Sequence, residues 1–361
     1  MLYYIFYPLR DVFFGFNVFR YISFRTIGAI GTSFLLVFFL IPKWIQYFKS
    51  KNFLSAVRED SLKNHHKKIS IPTMGGVVLI PSIIFSSFLW MKLNTCFFYI
   101  TTFTLLLLGI CGFLDDWEKL KHQTSKGISA RTKLLFQIFT GLAIGIYLWK
   151  YPPNPEVSLG LTVPFFKDVF INLGALYILV GILILVASSN AVNLTDGLDG
   201  LAIGTLMICS LTFAILAYIA GNVKFSSYLG FPYIKDAGEL TVFLGAILGG
   251  GLAFLWYNAY PAEIFMGDTG SLPLGGILGV IAILTKHEIL LIVIGGIFVL
   301  EALSVILQVL YYKKTSRRIF KMAPLHHHFE LKNWHESKVV IRFWIIGLFF
   351  MLLALITLKL R

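Results

Sequence analysis

Long apolar runs recur along almost the whole chain and restrict it to one class of fold. Ten runs approach the length of about 20 residues with which a helix crosses a bilayer core. They lie near residues 24–42, 73–91, 96–114, 134–149, 171–189, 200–220, 240–257, 264–284, 289–311 and 339–358. Only 14% of the residues are charged, against about a quarter in ordinary soluble domains. The sequence therefore predicts an all-α polytopic membrane protein of about ten helices, forming a single domain over 1–361.

Three stretches depart from this simple repetition. The eighth run is interrupted between Gly267 and Pro273, so we expect one broken helix there. Residues 1–22 combine aromatic side chains with two arginines, which is typical of an amphipathic segment at the membrane interface. Residues 312–338 are predicted to form a cytoplasmic loop with three consecutive histidines. No soluble domain is predicted beside the bundle.

The lysines and arginines predict how the chain is oriented in the membrane. Because ten spans place both termini on one side, the loops divide into two sets: 19 basic residues follow the odd-numbered spans, and 11 lie on the other side. The positive-inside rule then makes the first set cytoplasmic and both termini external. The net charge of +13 is spread over short loops, so it favours anionic lipid headgroups and an anionic substrate and disfavours nucleic acid as a partner.

Four polar motifs interrupt the apolar sequence, and all fall on the predicted cytoplasmic side. They are Asp115-Asp116, the stretch 190–200, Gly267-Asp268-Thr269-Gly270, and 325–330 with its three histidines. An ionisable group at the edge of hydrocarbon costs about 2.5–3.5 kcal/mol by insertion scales, so these carboxylates need a cation or a polar ligand. Mg²⁺ is usually held by one or two carboxylates together with substrate phosphates. Asp268, at the break in an apolar run, is therefore the predicted Mg²⁺ ligand.

Each motif also has a purely structural interpretation. Asp115 and Asp116 could form an acidic helix end neutralised by Lys119, although carboxylates at a helix C-terminus oppose the macrodipole. Asp196 and Asp199 could serve turn chemistry and helix capping, or could share one face and bind a polar ligand.

The histidine motif leaves similar alternatives. Three consecutive imidazoles cannot all reach one Zn²⁺ from a regular helix. Hydrogen bonding to a nucleotide or a phosphate fits better, and a basic interfacial loop is the structural alternative.

The motifs together carry a family resemblance that runs nearly from end to end of the chain. The stretches that carry it are Pro72–Gly76, Leu114–Asp116, Ser189–Gly200, Glu263–Ser271 and Met322–Glu330. In content and order they resemble the phospho-N-acetylmuramoyl-pentapeptide-transferase family, within the polyprenyl-phosphate N-acetylhexosamine-1-phosphate transferase superfamily.

The resemblance implies a reaction, its partners and a set of site residues. Undecaprenyl phosphate would attack the β-phosphate of UDP-N-acetylmuramoyl-pentapeptide in the bacterial cytoplasmic (inner) membrane, with Mg²⁺ as cofactor, releasing UMP and forming a lipid-linked intermediate. It also implies a homodimer. Catalytic roles fall to Asp115, Asp116 and Asp268, with Mg²⁺ on Asp268. Substrate contacts fall to Lys68, Thr73, Lys133, Asn190, Asn193, Asp196, Asp199, Asn258, Phe265, His326, His327 and His328.

Two other functions and two chemistries remain as alternatives. A sister transferase would use UDP-N-acetylglucosamine, and a secondary transporter would also have a broken helix and an intramembrane aspartate. The transporter is disfavoured because the polar residues lie at one face and no internal repeat is seen. Direct attack by the lipid phosphate is preferred to a covalent phosphoryl-enzyme, because the phosphate is already a competent nucleophile.

Overall fold

The structure, a computed structural model, describes residues 1–51, 71–124, 126–163 and 170–359. Its α-helices are α1 Leu2–Phe6, α2 Ile22–Ser50, α3 Gly76–Trp90, α4 Cys96–His122, α5 Ala130–Lys150, α6 Tyr177–Thr195, α7 Leu201–Ala220, α8 Val223–Leu229, α9 Glu239–Asn258, α10 Asp268–Thr285, α11 Leu290–Ile294, α12 Gly296–Thr315, α13 Leu325–Glu330 and α14 Glu336–Ile356. Short 3-10 helices cover Tyr7–Asp11, Phe14–Arg20 and Gly174–Leu176. A two-stranded antiparallel sheet pairs β1 (Gly160–Thr162) with β2 (Phe170–Asn172), with Leu161 opposite Ile171.

The helices confirm the predicted membrane fold. Within the described residues, nine helices are long and apolar enough to cross a membrane: α2, α4, α5, α6, α7, α9, α10, α12 and α14. Helix α3 is apolar but has only 15 residues. Each of the ten predicted apolar runs therefore contains helix, and the chain is an all-α polytopic membrane protein.

Helix α10 forms the centre of the bundle. Within its most apolar window, 94% of the residues are buried inside the protein, whereas the figure is 28% for each of α2, α12 and α14. Helix α10 packs against α4, α6 and α7. The outer helices expose aliphatic and aromatic side chains, as expected of surfaces that face lipid rather than water. Residues near either end of α10 are therefore held by several neighbouring helices at once.

Several helix ends differ from the predicted apolar runs. Helix α4 continues to His122 although its apolar run stops at Leu114, and α6 continues to Thr195. Hydropathy reports where apolar side chains stop, whereas the helix ends where its backbone hydrogen bonds stop. The position of the interruption also differs from the prediction: α10 starts at Asp268 and runs past Pro273, and the break lies instead at Gly295, between α11 and α12.

Candidate active site

Three carboxylates from two helices meet at one end of the bundle. Asp115 and Asp116 lie inside α4, and Asp268 is the first residue of α10. One oxygen from each carboxylate lies within 4.8 Å of the others, and this is the only such group of metal-ligating side chains among the described residues. Asp115 and Asp116 are buried, whereas 15% of the Asp268 side chain is exposed. The cluster is therefore accessible mainly at Asp268.

Two lysines lie between the three carboxylates. The Lys119 ammonium is 2.5 Å from Asp115, 3.6 Å from Asp116 and 3.3 Å from Asp268. The Lys133 ammonium, at the start of α5, is 3.0 Å from Asp115 and 2.5 Å from Asp268. Three carboxyl groups thus face two ammonium groups, so with all five groups ionised the cluster carries an excess of negative charge that attracts a further cation.

Asp116 differs from its neighbour in how its oxygens are held. Its carboxylate accepts the backbone N–H of Asp268 at 3.2 Å and that of Thr269 at 2.9 Å, and also the Thr269 hydroxyl at 2.7 Å. Gly267, with φ +75° and ψ 174°, adopts a backbone conformation open mainly to glycine, and this directs these groups at Asp116. Asp116 therefore caps the N-terminus of α10. The two oxygens of Asp115 accept no backbone hydrogen bond of good geometry; they lie next to the ammonium groups of Lys119 and Lys133 and close to the Asp268 carboxylate.

A short extended segment joins the predicted Pro72–Gly76 motif to the Asp268 motif. The N–H of Phe265 donates to the carbonyl of Pro72 at 2.8 Å, and the N–H of Gly75 donates back to Phe265 at 2.9 Å. The hydroxyl of Thr73 lies beside Gly267. Thr73 and Phe265 are thus placed next to the acidic cluster. Lys68 lies outside the described residues.

The predicted loop 190–200 is helical in its first half. Asn190 and Asn193 belong to the last turns of α6, so only 196–200 form a turn. The Asn190 amide donates to Gln137 of α5 at 2.9 Å, and the Asn193 amide donates to Ser271 of α10 at 3.2 Å. The two asparagines therefore connect α6 to the helices that carry Lys133 and Asp268.

Asp196 lies in the turn after α6 and responds electrostatically to the acidic cluster. Burial and, after it, the negative charges of Asp268 and Asp116 together raise the pKa of Asp196 to about 8. A neutral carboxyl can donate a hydrogen bond as well as accept one. Asp196 is thus placed next to the cluster, with a proton that depends on pH near neutrality.

Asp199 and Asn258 hold the backbone that leads to Asp268. Asp199 accepts the N–H of Ala262 at 3.0 Å. Asn258, at the end of α9, accepts the N–H of Gly200 at 3.0 Å and donates to the carbonyl of Ile264 at 2.8 Å. Both predicted side chains therefore fix the connection 259–267 against the turn 196–200.

The three histidines occupy three different environments in α13. His326 is fully buried, with Nδ1 3.3 Å from Oε2 of Glu301. His327 pairs with Glu330 at 2.7 Å. Nδ1 of His328 accepts the N–H of Lys321 at 3.1 Å, and partial burial together with the nearby Lys332 and Lys321 lowers the pKa of His328.

Sequence reasoning missed one residue of the cluster. The sequence indicates Lys119 only as a structural partner of Asp115 and Asp116, whereas its ammonium lies within 4 Å of all three carboxylates. The signal was present in the spacing, because residues three and four positions apart share a helix face. It required α4 to extend past the apolar run.

Comparisons with known proteins agree with this architecture. A family model described as Glycosyl transferase family 4 matches residues 97–286. A phospho-N-acetylmuramoyl-pentapeptide-transferase of Brachyspira hyodysenteriae is 49% identical over 100% of both chains. Proteins of the same name from Thermodesulfovibrio yellowstonii and Citrifermentans bemidjiense are 50% and 48% identical, again over 100% of both chains. The chain therefore belongs to the phospho-N-acetylmuramoyl-pentapeptide-transferase family of membrane phosphosugar transferases.

Proposed function

We propose that this chain transfers phospho-N-acetylmuramoyl-pentapeptide from its UDP derivative to undecaprenyl phosphate, releasing UMP and forming lipid I. The observation that carries the proposal is the acidic cluster at one end of a membrane bundle. A lipid phosphate reaches such a position from the bilayer, and a sugar nucleotide reaches it from water. Full-length relatives with the transferase name support the same reaction.

The acidic cluster suits Mg²⁺. Its donors are carboxylate oxygens, which Mg²⁺ prefers, and two ammonium groups already lie among them. Asp268 is the proposed ligand because it is the partly exposed member. When bound, the ion would neutralise charge on the diphosphate, which is the main requirement of phosphoryl transfer.

The geometry favours Asp115 over Asp116 as the group that receives a proton from the lipid phosphate. Asp116 is occupied by the N-terminus of α10, whereas the oxygens of Asp115 accept no backbone hydrogen bond and lie next to the ammonium groups of Lys119 and Lys133. Direct attack forms the new P–O bond at the β-phosphate and breaks its bond to the bridging oxygen, which leaves with UMP. Lys133, once displaced from its carboxylates, is placed to contact phosphate.

The nucleotide pocket is proposed to be bordered by the turn 196–200 and the connection 259–267, which pack against each other. Asn193, Asp196 and Phe265 border it, while Asp199 and Asn258 fix its backbone. Lys68, His327 and His328 are proposed for the diphosphate or sugar side, whereas His326, which is fully buried, is proposed to lie behind the pocket. We expect weak discrimination among pentapeptides, because no charged cluster predicted from the sequence reads a peptide.

The site is proposed to face the cytoplasm of a bacterial inner membrane, with both termini external. The unequal distribution of basic residues supports this orientation. Reporter tags at either terminus should therefore respond only from outside, and a cytoplasmic terminus would contradict the orientation. A homodimer is proposed from the family resemblance.

The decisive experiment offers purified protein both UDP-N-acetylmuramoyl-pentapeptide and UDP-N-acetylglucosamine, with undecaprenyl phosphate and Mg²⁺. Release of UMP from the first alone supports the proposal, and release from the second alone identifies the sister transferase. Flux of a sugar nucleotide across vesicles without UMP release would identify a transporter.

A further inference from the structure

Glu301 is a buried acid in a helix that mostly faces lipid. Helix α12 is among the least buried spans, yet the Glu301 side chain has no exposed surface. A carboxylate at such a depth is costly unless a specific partner compensates it, and such residues usually serve function. Nothing in the predicted site accounts for Glu301.

Both oxygens of Glu301 are directed at a single residue, His326. Oε1 accepts the backbone N–H of His326 at 3.2 Å, and Oε2 lies 3.3 Å from Nδ1 of its ring. Among the described residues, neither nitrogen of this ring has a hydrogen bond of good geometry, and Glu301 is the acid that lies within ion-pair distance of Nδ1. Glu301 therefore holds the start of α13 by a hydrogen bond and places its second oxygen beside the imidazole.

The opposite edge of the imidazole lies against the turn that follows α6. A Cβ added to Gly197 would overlap Nε2 of His326, so the ring touches the backbone between Asp196 and Asp199. No side chain larger than hydrogen fits at this contact. The chain of contacts thus runs from Glu301 through His326 to the turn that borders the proposed nucleotide pocket.

We propose that Glu301 is a positioning residue for nucleotide binding, acting through His326 on the turn 196–200. His326 then supports the pocket from behind and does not itself contact substrate. This inference rests on the proposed function, because it assumes that the turn borders a nucleotide.

The proposal separates binding from chemistry. Glu301→Gln keeps an acceptor for the backbone N–H but removes the charge that holds the ring, so the turn loses its support. We expect the KM for the sugar nucleotide to rise about tenfold with kcat within about threefold, because the acidic cluster is untouched. His326→Asn should have the same effect. The KM of the double variant should be at most about threefold higher than that of the single variant with the higher KM, because both changes break the same chain of contacts.

Calorimetric binding of UMP to the purified, detergent-solubilised protein provides a readout that does not depend on turnover. Glu301→Gln should weaken UMP binding about tenfold. The matched control is Glu288→Gln, which removes another buried carboxylate, paired with Lys286 at 2.6 Å. The control should lower the melting temperature but leave UMP affinity within about twofold.

Three results would overturn the positioning role of Glu301. They are unchanged UMP affinity in Glu301→Gln, an equal loss of UMP affinity in Glu301→Gln and in the control, and additive effects on KM in the double variant. If Glu301→Gln does not fold, Gly197→Ala tests the same contact from the other side. Its methyl group displaces the imidazole and should also weaken UMP binding about tenfold, and unchanged affinity would count against the role. If the parent protein binds no UMP, the proposed function itself fails.

Discussion

Buried ion pairs stabilise two regions of this molecule, and they differ in how completely the charges are matched. Away from the acidic cluster, Arg25 donates to both oxygens of Glu239, at 2.5 and 2.7 Å. The backbone N–H of Lys92 also donates to Glu239, at 2.9 Å. The Arg25 and Glu239 side chains are 0% and 3% exposed. The guanidinium of Arg25 thus meets both oxygens of one carboxylate, and the pair has almost no exposed surface. This is the arrangement expected of a structural pair.

The acidic cluster is arranged differently. Its three carboxylates share two lysines, and the Lys119 and Lys133 side chains are 29% and 23% exposed. Asp115 has oxygens without a directed hydrogen bond. The comparison indicates that unequal charge and partial access, rather than burial of charge itself, distinguish a binding site from a structural pair.

The largest effect should follow from removing the exposed acid of the cluster. Asp268→Asn keeps the shape but removes the negative charge proposed to bind Mg²⁺, so activity should fall at least about 10³-fold, or about 4 kcal/mol of transition-state stabilisation. Release of UMP at saturating Mg²⁺ measures the loss, and a thermal melt confirms folding. Asp236→Asn is the matched control, because Asp236 is exposed and its φ of 62° suits asparagine. Asp268→Asn activity within tenfold of the parent would refute the assignment.

The structural pair should show the reverse behaviour. Glu239→Gln leaves Arg25 buried without its counter-charge, which costs about 3 kcal/mol or more of folding free energy. The melting temperature should fall by several degrees, while UMP release per folded molecule stays within about threefold. Replacing both partners by Arg25→Met and Glu239→Leu should restore most of the stability. A large loss of turnover in folded Glu239→Gln would remove the distinction between the two regions.

Asp196 allows a pH test of how the cluster acts on its surroundings. Its pKa of about 8 in the folded protein exceeds the value of about 3.9 for an unfolded chain, so folding keeps a proton that the unfolded state releases. The stability of the parent should fall as pH rises from 4 to 8, and Asp196→Asn should remove that loss. In chelator-treated protein at pH 8, the free energy of unfolding of the variant should exceed that of the parent by an amount on the order of 2 kcal/mol, after allowance for partial exposure. At pH 4 the two proteins should be equally stable. The opposite slope would show that Asp196 is ionised.

The smallest expected effect concerns Lys119. Its ammonium competes with a metal ion for the same oxygens, so Lys119→Gln should bind Mn²⁺ about tenfold more tightly in the absence of substrate. Lys121→Gln, on an exposed position of the same helix, is the control. Weaker Mn²⁺ binding in Lys119→Gln would show that the lysine organises the carboxylates rather than competing for them.

The sequence predicted the bundle better than it predicted the contacts at the site. Apolar runs are sufficient to locate membrane helices, because the bilayer fixes their length and forces their backbone hydrogen bonds inward. The convergence of Asp115 and Asp268 followed from placing their motifs on one side. What hydropathy could not give was the continuation of α4 beyond Leu114, which places Lys119 among the acids.

Other features depend on tertiary packing and left no local signal. A lone acid such as Glu301 has no periodic pattern, and its partner lies 25 residues away in a different helix. Asp116 and Asp115 differ in their hydrogen bonds because α10 begins at Asp268, next to Asp116. For the same reason, one run of three histidines could not reveal that the first is buried while the other two are partly exposed.

The cap that Asp116 provides for α10 has a consequence for the order of events during synthesis. Its partners are encoded 152 and 153 residues later, so at about 5–20 residues per second they leave the ribosome roughly 8 to 30 seconds after it. Through that interval the two aspartates of α4 enter the membrane edge without α10. Lys119, one turn away on the same helix, is the neutralising charge that travels with them. We therefore expect nascent chains that end before Asp268 to insert α4 stably with Lys119 and less completely without it.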